Sequence, residues 1–304
     1  MIRKIKVLLR LGKLRLMLLM ALISFIGATY SPNFYSDLFP KTFLSSLLSI
    51  PPTHTSILHA FGASLVSMLI WFGTALFNDY FDIEIDKRIN PYRPLVKGEI
   101  SPKEVKFWAS LSYAIAFLIA VIEGDLLCTL IACIFIFLGF QYSAPPLRLR
   151  RWGLCGSLII GVGIFGAFLG GCVAQFYVTS KALIAATLLG LLATTASSVK
   201  DYKDIEGDKE VGIKTLPIVY GYEQSIRINV LALSVSYALV LAPFLVGYFN
   251  IYLSLIIFII ALFNLKFFHD LKKRRDLESR RKTYFRCLTC YFMVVIVFAV
   301  ANVS

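Results

Sequence analysis

Histidine is scarce, with three in 304 residues, and neither His54 nor His59 has a cysteine or carboxylate at ligand spacing. That argues against a histidine-based metal centre and leaves both with interfacial or packing roles. The six cysteines, Cys128, Cys133, Cys155, Cys172, Cys287 and Cys290, make no secreted-type framework. They read as small packing residues, and the CxxC of Cys287 and Cys290 lacks the second Cys or His pair that a zinc site needs. Charge is also sparse: charged residues are 16% of the chain against 58% hydrophobic, with a mean hydropathy of +0.75. Such a chain cannot cover itself with polar surface, which excludes an ordinary soluble enzyme. Zinc-finger spacing and basic-plus-heptad patterns are missing, so the net charge of +13 does not point to nucleic acid. The basic residues fall between apolar runs, where anionic headgroups and a phosphorylated substrate account for them. No small-residue cleavage site follows the basic start, so its hydrophobic run reads as a retained helix.

What is present is a series of apolar windows. A bilayer core of roughly 30 Å needs about 20 apolar residues per helix. Windows at 11–30, 56–79, 104–122, 126–142, 153–178, 181–200, 225–246, 249–268 and 284–301 meet or approach that length. The expectation is an all-α polytopic membrane protein with nine transmembrane helices in one intramembrane domain, 1–304. With a cytoplasmic N terminus, 29 of the 31 basic residues fall on the cytoplasmic side, leaving Lys41 and Lys181 outside. That asymmetry supports an external C terminus and a cell-membrane location. The proline-rich connection from Ser31 to Thr55 reads as an external cap lying on the membrane. Glycines at 153, 156, 161, 163, 166, 170 and 171 make the fifth window small-surfaced, suited to close helix contact or to a lipid chain, and Pro243 is expected to bend the seventh.

Two acidic clusters share one internal spacing: Asp79, Asp82 and Asp86 in NDYFDIEID, and Asp201, Asp204 and Asp208 in DYKDIEGD. Each follows an apolar window, and both fall on the cytoplasmic side of the nine-span plan. At about 100° per residue, offsets of 0, 3 and 7 fall within a sector of about 60°, so each triplet can present one carboxylate face. Converging carboxylates repel unless cations lie between them, and all-oxygen ligands suit Mg²⁺, with substrate phosphates completing its shell. Asn78 adds a carbonyl oxygen to the first triplet. Glu84 and Glu206 occupy matching offsets off the stripe. The repeated spacing also suggests internal pseudo-symmetry relating spans two to four and six to eight.

Arg93 in NPYRP, Lys200 and Lys203 beside the second cluster, Arg148 and Arg151 after QYSAPP, and Tyr142 as a hydroxyl donor supply the groups that would neutralise a diphosphate. Arg10 and Lys13 at the start of the first window are further candidates. Aromatic residues make up 14% of the chain, and Phe72, Phe77, Phe135, Phe137, Phe140, Phe165 and Phe168 include candidates for lining a channel for an isoprenoid tail.

Together, NDYFDIEIDKRINPYRPLVKG at 78–98, YSAPPLRLRRWG at 142–153 and DYKDIEGDKEVGIKTLPIVYG at 201–221 resemble the UbiA superfamily of intramembrane prenyltransferases. The resemblance implies a helical bundle open to lipid that transfers a prenyl group from an isoprenyl diphosphate, with Mg²⁺ held by Asn78, Asp79, Asp82, Asp86, Asp201, Asp204 and Asp208. It implies diphosphate contacts at Arg93, Tyr142, Arg148, Lys200 and Lys203. The first window departs from the family in having Leu14, not proline, after Lys13. Within the family the chain looks most like archaeal enzymes that add a geranylgeranyl group to geranylgeranylglyceryl phosphate in ether-lipid synthesis. An aromatic quinone precursor is the alternative acceptor, and a membrane transporter the alternative of a different class.

Overall fold

The computed structural model describes residues 2–34, 56–123, 126–152, 154–210, 212–273 and 275–303. Gly153, His54 and all but the first four residues of the proposed external cap lie outside them. The regular structure among the described residues is helical: α1 (Ile2–Leu11), α2 (Leu14–Thr29), α3 (Ser56–Phe81), α4 (Ile83–Ile89), α5 (Pro102–Ile122), α6 (Leu126–Gln141), α7 (Cys155–Val173), α8 (Ser180–Ser197), α9 (Val199–Lys203), α10 (Ile205–Glu210), α11 (Leu216–Val219), α12 (Tyr222–Leu245), α13 (Tyr252–Asp270) and α14 (Leu277–Val303). A 3₁₀ turn spans Leu149–Arg151.

Among the described residues, seven helices are long and apolar enough to cross a membrane, and eight if α1 and α2, bent by 64°, count as one span. The protein is therefore a polytopic, all-α membrane protein. Two features separate this from the expected nine. The first window is broken at Lys13, which takes a left-handed conformation (φ 54°) between α1 and α2. The fourth forms a helix of 16 residues, about 24 Å at 1.5 Å per residue and short of a full hydrocarbon core.

The chain divides into two compact units, one comprising Met1–Ala144 with Gly166–Ala186 and the other Pro145–Phe165 with Thr187–Ser304. In the first unit, Val7, Leu8 and Leu11 of α1 are buried with Leu76 and Phe77 of α3, Leu95 and Ile100 of the following loop, and Val105, Ala109 and Tyr113 of α5. The loop ends in a capping box: Ser101 accepts from the Glu104 amide, Glu104 accepts from the Ser101 amide, and Pro102 occupies the first turn. Backbones approach closely between α2 and α7, where a Cβ on Gly171 would lie 1.8 Å from the Ser24 carbonyl oxygen and one on Gly27 would lie 1.9 Å from that of Phe168. Only glycine fits at those crossings. Of the two uses expected for the glycine-rich window, Gly166 shows close side-chain contact: the Phe135 ring lies 1.9 Å from where a Cβ would be.

The second unit buries Tyr202, Tyr237, Phe244, Phe268 and Phe298. Short polar links stitch its helices together: Thr195 Oγ1 donates to Ser236 Oγ at 3.2 Å, Ser198 Oγ to Asn229 Oδ1 at 3.0 Å, and Asn264 Nδ2 to Tyr237 Oη at 2.9 Å. In apolar surroundings such bonds fix which helices pair. Cys287 and Cys290 are buried in α14 as packing residues, whereas Cys133 and Cys155 are exposed.

Candidate active site

The first acidic motif is built where α3 ends. Asn78 and Asp79 lie in its last turn, Asp82 leaves helical geometry (φ −98°, ψ 2°), and α4 resumes at once. Hydrogen bonding crosses the break, with the Asp82 amide donating to the Asn78 carbonyl at 3.1 Å and the Asp86 amide to the Asp82 carbonyl at 2.8 Å. The helix is therefore kinked rather than unwound. All three carboxylates are buried, with Asp79, Asp82 and Asp86 at 5%, 6% and 4% exposure. The NPYRP loop folds back so that Arg93 Nη1 donates to Asp79 Oδ1 at 2.8 Å and to Asp86 Oδ2 at 2.7 Å. Asn90 Nδ2 donates to Asp86 Oδ1 at 3.0 Å. The side-chain amide of Asn78 donates to Ser143 Oγ at 2.9 Å, so its carbonyl oxygen is the atom that could meet a cation.

The second motif repeats this local form. α9 stops at Lys203, Asp204 takes φ −107° and ψ 4°, α10 follows, and the Asp208 amide donates to the Asp204 carbonyl at 2.8 Å. The middle aspartate of each triplet thus sits at a kink of the same backbone geometry. Carboxylates at the C-terminal end of a long helix oppose its dipole, so both motifs call for cations. Here Lys203 Nζ lies 2.7 Å from Asp204 Oδ2. Burial, and after it the charges of Asp204 and Asp201, push the Asp208 carboxyl up to about 7, against the pull of Arg150 and Lys200. The Tyr202 ring is fully buried and its hydroxyl accepts from Asn229 Nδ2 at 2.7 Å. Glu206, turned off the stripe as its offset requires, pairs with Arg280, whose hydrogen bond holds its carboxyl below the usual range.

The remaining candidates are placed less sharply. Tyr142 is half-buried just after α6, and Arg148 takes a left-handed conformation (φ 43°) that opens the 3₁₀ turn, its Nε buried without a hydrogen-bond partner. Lys200 is half-buried in α9 beside Asp201. Lys203, besides its pairing with Asp204, stands 5.4 Å above the Tyr284 ring centroid. Arg10 is paired with Glu99 at 2.6 Å. His59 does have a carboxylate companion, Glu123, and its ring meets Phe176 edge-on at 5.3 Å. That pair sits at the opposite end of α3, about 30 Å along the helix from Asp79. Two residues went unrecognised in the sequence: Arg150, because the run RLRR does not say which arginine turns toward Asp208, and Arg280, because it sits in a basic stretch that reads as a lipid anchor.

Among the described residues, no group of three or more His, Cys, Asp or Glu side chains gathers as a ready-made metal cluster. The donors of the two motifs are nevertheless all carboxylate or amide oxygens, the chemistry that fits Mg²⁺ and not a soft metal.

Comparison with known proteins identifies the family. The model of the UbiA prenyltransferase family matches residues 38–296. A digeranylgeranylglyceryl phosphate synthase of Hyperthermus butylicus is 30% identical over 196 residues, covering 62% of this chain and 64% of that protein, so the chain spans just under two thirds of that relative's length. The corresponding protein of Sulfurisphaera tokodaii is 31% identical over 230 residues, covering 73% and 80%. Among solved structures, one concerning digeranylgeranylglyceryl phosphate synthase in membranes aligns with a TM-score of 0.70 at 24% identity over 100% of this chain and 99% of that one. A UbiA homolog from Archaeoglobus fulgidus bound to GPP and Mg²⁺ aligns with a TM-score of 0.63 at 21% identity, covering 95% of this chain and 99% of that one.

Proposed function

The chain belongs to the UbiA prenyltransferase family, and from that premise we propose that it catalyses Mg²⁺-dependent transfer of a geranylgeranyl group from its diphosphate to geranylgeranylglyceryl phosphate. The observation that carries the reading is the recurrence, in both acidic motifs, of a kinked helix end with its middle aspartate at the kink. The names of the archaeal relatives support the acceptor, and the ligands of the Archaeoglobus structure support the donor class and the ion for that protein.

In this reading Asn78, Asp79, Asp82, Asp86, Asp201, Asp204 and Asp208 are the residues that would hold Mg²⁺. When bound there, Mg²⁺ would supply positive charge to a leaving diphosphate. Arg93, Arg148, Arg150, Lys200 and Lys203 add hydrogen bonds to its oxygens, and Tyr142 donates a further one. The acceptor hydroxyl forms the new ether bond at the prenyl carbon that the diphosphate leaves. Its proton passes to an aspartate or to the departing diphosphate.

The nine-span plan belongs to the same proposal, with the bent α1–α2 pair as one crossing and α6 as a short one. So do the single functional domain, the cytoplasmic N terminus and motifs, and the external C terminus; the basic-residue asymmetry supports the orientation. The test is to supply purified protein with geranylgeranyl diphosphate and Mg²⁺, and to offer glyceryl phosphate, hydroxybenzoate and naphthoate acceptors separately. Diphosphate release and a product of the right mass with the glyceryl acceptor alone support the reading. An aromatic product reassigns the acceptor, and movement of substrate without diphosphate release makes the protein a transporter.

A further inference from the structure

Arg280 is among the most buried charged residues of the chain, its side chain 9% exposed, and it enters from the first turn of α14. Its Nη1 donates to the Tyr202 carbonyl at 2.7 Å and to Glu206 Oε2 at 3.2 Å, and its Nη2 donates to Glu206 Oε1 at 2.8 Å. Tyr202 and Glu206 stand two residues before and two after Asp204, so one guanidinium straddles the kink. A helix that stops at Lys203 leaves carbonyls without intrahelical donors, and Arg280 fills one of them. On the far side the fork-to-fork pair with Glu206 fixes the start of α10 in orientation as well as position. The neighbouring bond from Asn229 to the Tyr202 hydroxyl secures the same turn from α12.

The first motif has the same residue types at these offsets, Tyr80 and Glu84, but uses them differently. Glu84 is exposed and bonds to Lys87 on its own turn at 2.7 Å, while Arg93 acts on the carboxylates themselves. The anchorage of the second motif is thus a property of where α14 lies in its unit, not of the acidic repeat.

We infer that Arg280 is a positioning residue for the prenyl transfer: it holds the kink at Asp204, and through it the aim of Asp201, Asp204 and Asp208, while touching neither substrate nor ion. The inference rests on the reading under Proposed function. A plain packing role predicts something else, since an ion pair with one exposed partner contributes little to stability by itself.

The test compares wild type, Arg280→Lys, Arg280→Gln, Glu206→Gln and the Arg280→Gln/Glu206→Gln double variant. In metal-free protein, amide hydrogen exchange across 199–210 should quicken in Arg280→Gln and Glu206→Gln and stay near wild type in Arg280→Lys, with 78–90 unchanged in all. In turnover, the Mg²⁺ concentration for half-activation should rise about 10- to 100-fold, the usual range for losing a residue that orients metal ligands. The rate at saturating Mg²⁺ should change far less, and the double variant should be no worse than the worse single one. Unchanged exchange at 199–210 overturns the inference, as does faster exchange throughout the protein with an unchanged Mg²⁺ requirement. If Arg280→Gln does not fold, Glu206→Gln removes the ion pair from the exposed partner, leaving the bond to the Tyr202 carbonyl in place, and decides the matter. Should wild type transfer no prenyl group at all, the proposed function falls, and the exchange data still judge the anchoring of the kink.

Discussion

Asp79 and Asp86 share one nitrogen of Arg93, 2.8 Å from the first carboxylate and 2.7 Å from the second. Two buried negative charges two turns apart would otherwise repel through a medium that screens poorly, and the guanidinium between them is the local compensation. Replacing Arg93 with alanine should therefore lower the melting temperature of the metal-free protein, with a cost of about 1–3 kcal/mol. That is below the ~3–5 kcal/mol of a fully buried pair, because Arg93 is partly solvent-exposed. Added Mg²⁺ should restore part of the loss if the ion takes over the same compensation. Thermal unfolding in detergent with and without Mg²⁺ reads this, and an unchanged melting curve rules it out.

Asp79→Ala and Asp208→Ala should each reduce turnover more than about 100-fold, the scale of removing one preorganised charge-stabilising group. Helical content by circular dichroism should be retained, since neither aspartate carries a helix. Near-normal turnover in either variant would remove that motif from the mechanism.

Chelation should silence the enzyme, and Mg²⁺ alone should revive it. Product formation across an EDTA titration followed by Mg²⁺ repletion is the measurement. Activity that survives exhaustive chelation contradicts the oxygen-ligand site.

Asn229→Leu should remove one hydrogen bond each from the buried Tyr202 hydroxyl and Ser198 Oγ, costing about 0.5–1.5 kcal/mol for each bond lost, since Ser198 Oγ still donates to the Thr195 carbonyl at 2.7 Å. Adding Tyr202→Phe should recover part of it, because the buried hydroxyl that lost this bond is then gone. A melting series over the two single variants and the double one checks this, and strictly additive losses would speak against the bond.

Gly171→Ala should disrupt folding, because its Cβ would lie 1.8 Å from a backbone carbonyl oxygen that has no rotamer with which to move away. Gly163→Ala, where a Cβ meets nothing within 4 Å, should be tolerated. The monodisperse fraction after size-exclusion chromatography distinguishes them, and equal yields would refute the packing account.

Local information made the membrane helices and both aspartate triplets legible. Apolar windows report hydrophobic burial directly, and three carboxylates at offsets 0, 3 and 7 need only a helix to line up. The kinks at Asp82 and Asp204 were harder to read, since no glycine or proline occupies the turning position in either motif. Arg280 lies 74 residues beyond Glu206 and looks like its basic neighbours. Its partner is chosen by how α14 packs, which no spacing encodes. Likewise His59 and Glu123 meet only because α3 and α5 run side by side, 64 residues apart in sequence. Lys13 was considered for its charge, whereas its structural role is the left-handed turn that bends the first window.

That turn has a practical consequence for handling the protein. Because the chain swings by 64° after Leu11, α1 forms a roof whose Val7, Leu8 and Leu11 share a core with Leu95 and Ile100, in the stretch that also delivers Arg93 to its aspartates. Trimming the amino terminus as a dispensable tail, or hanging a bulky purification tag there, would unroof that stretch. Such preparations would lose grip on the first aspartate triplet while every long helix still formed.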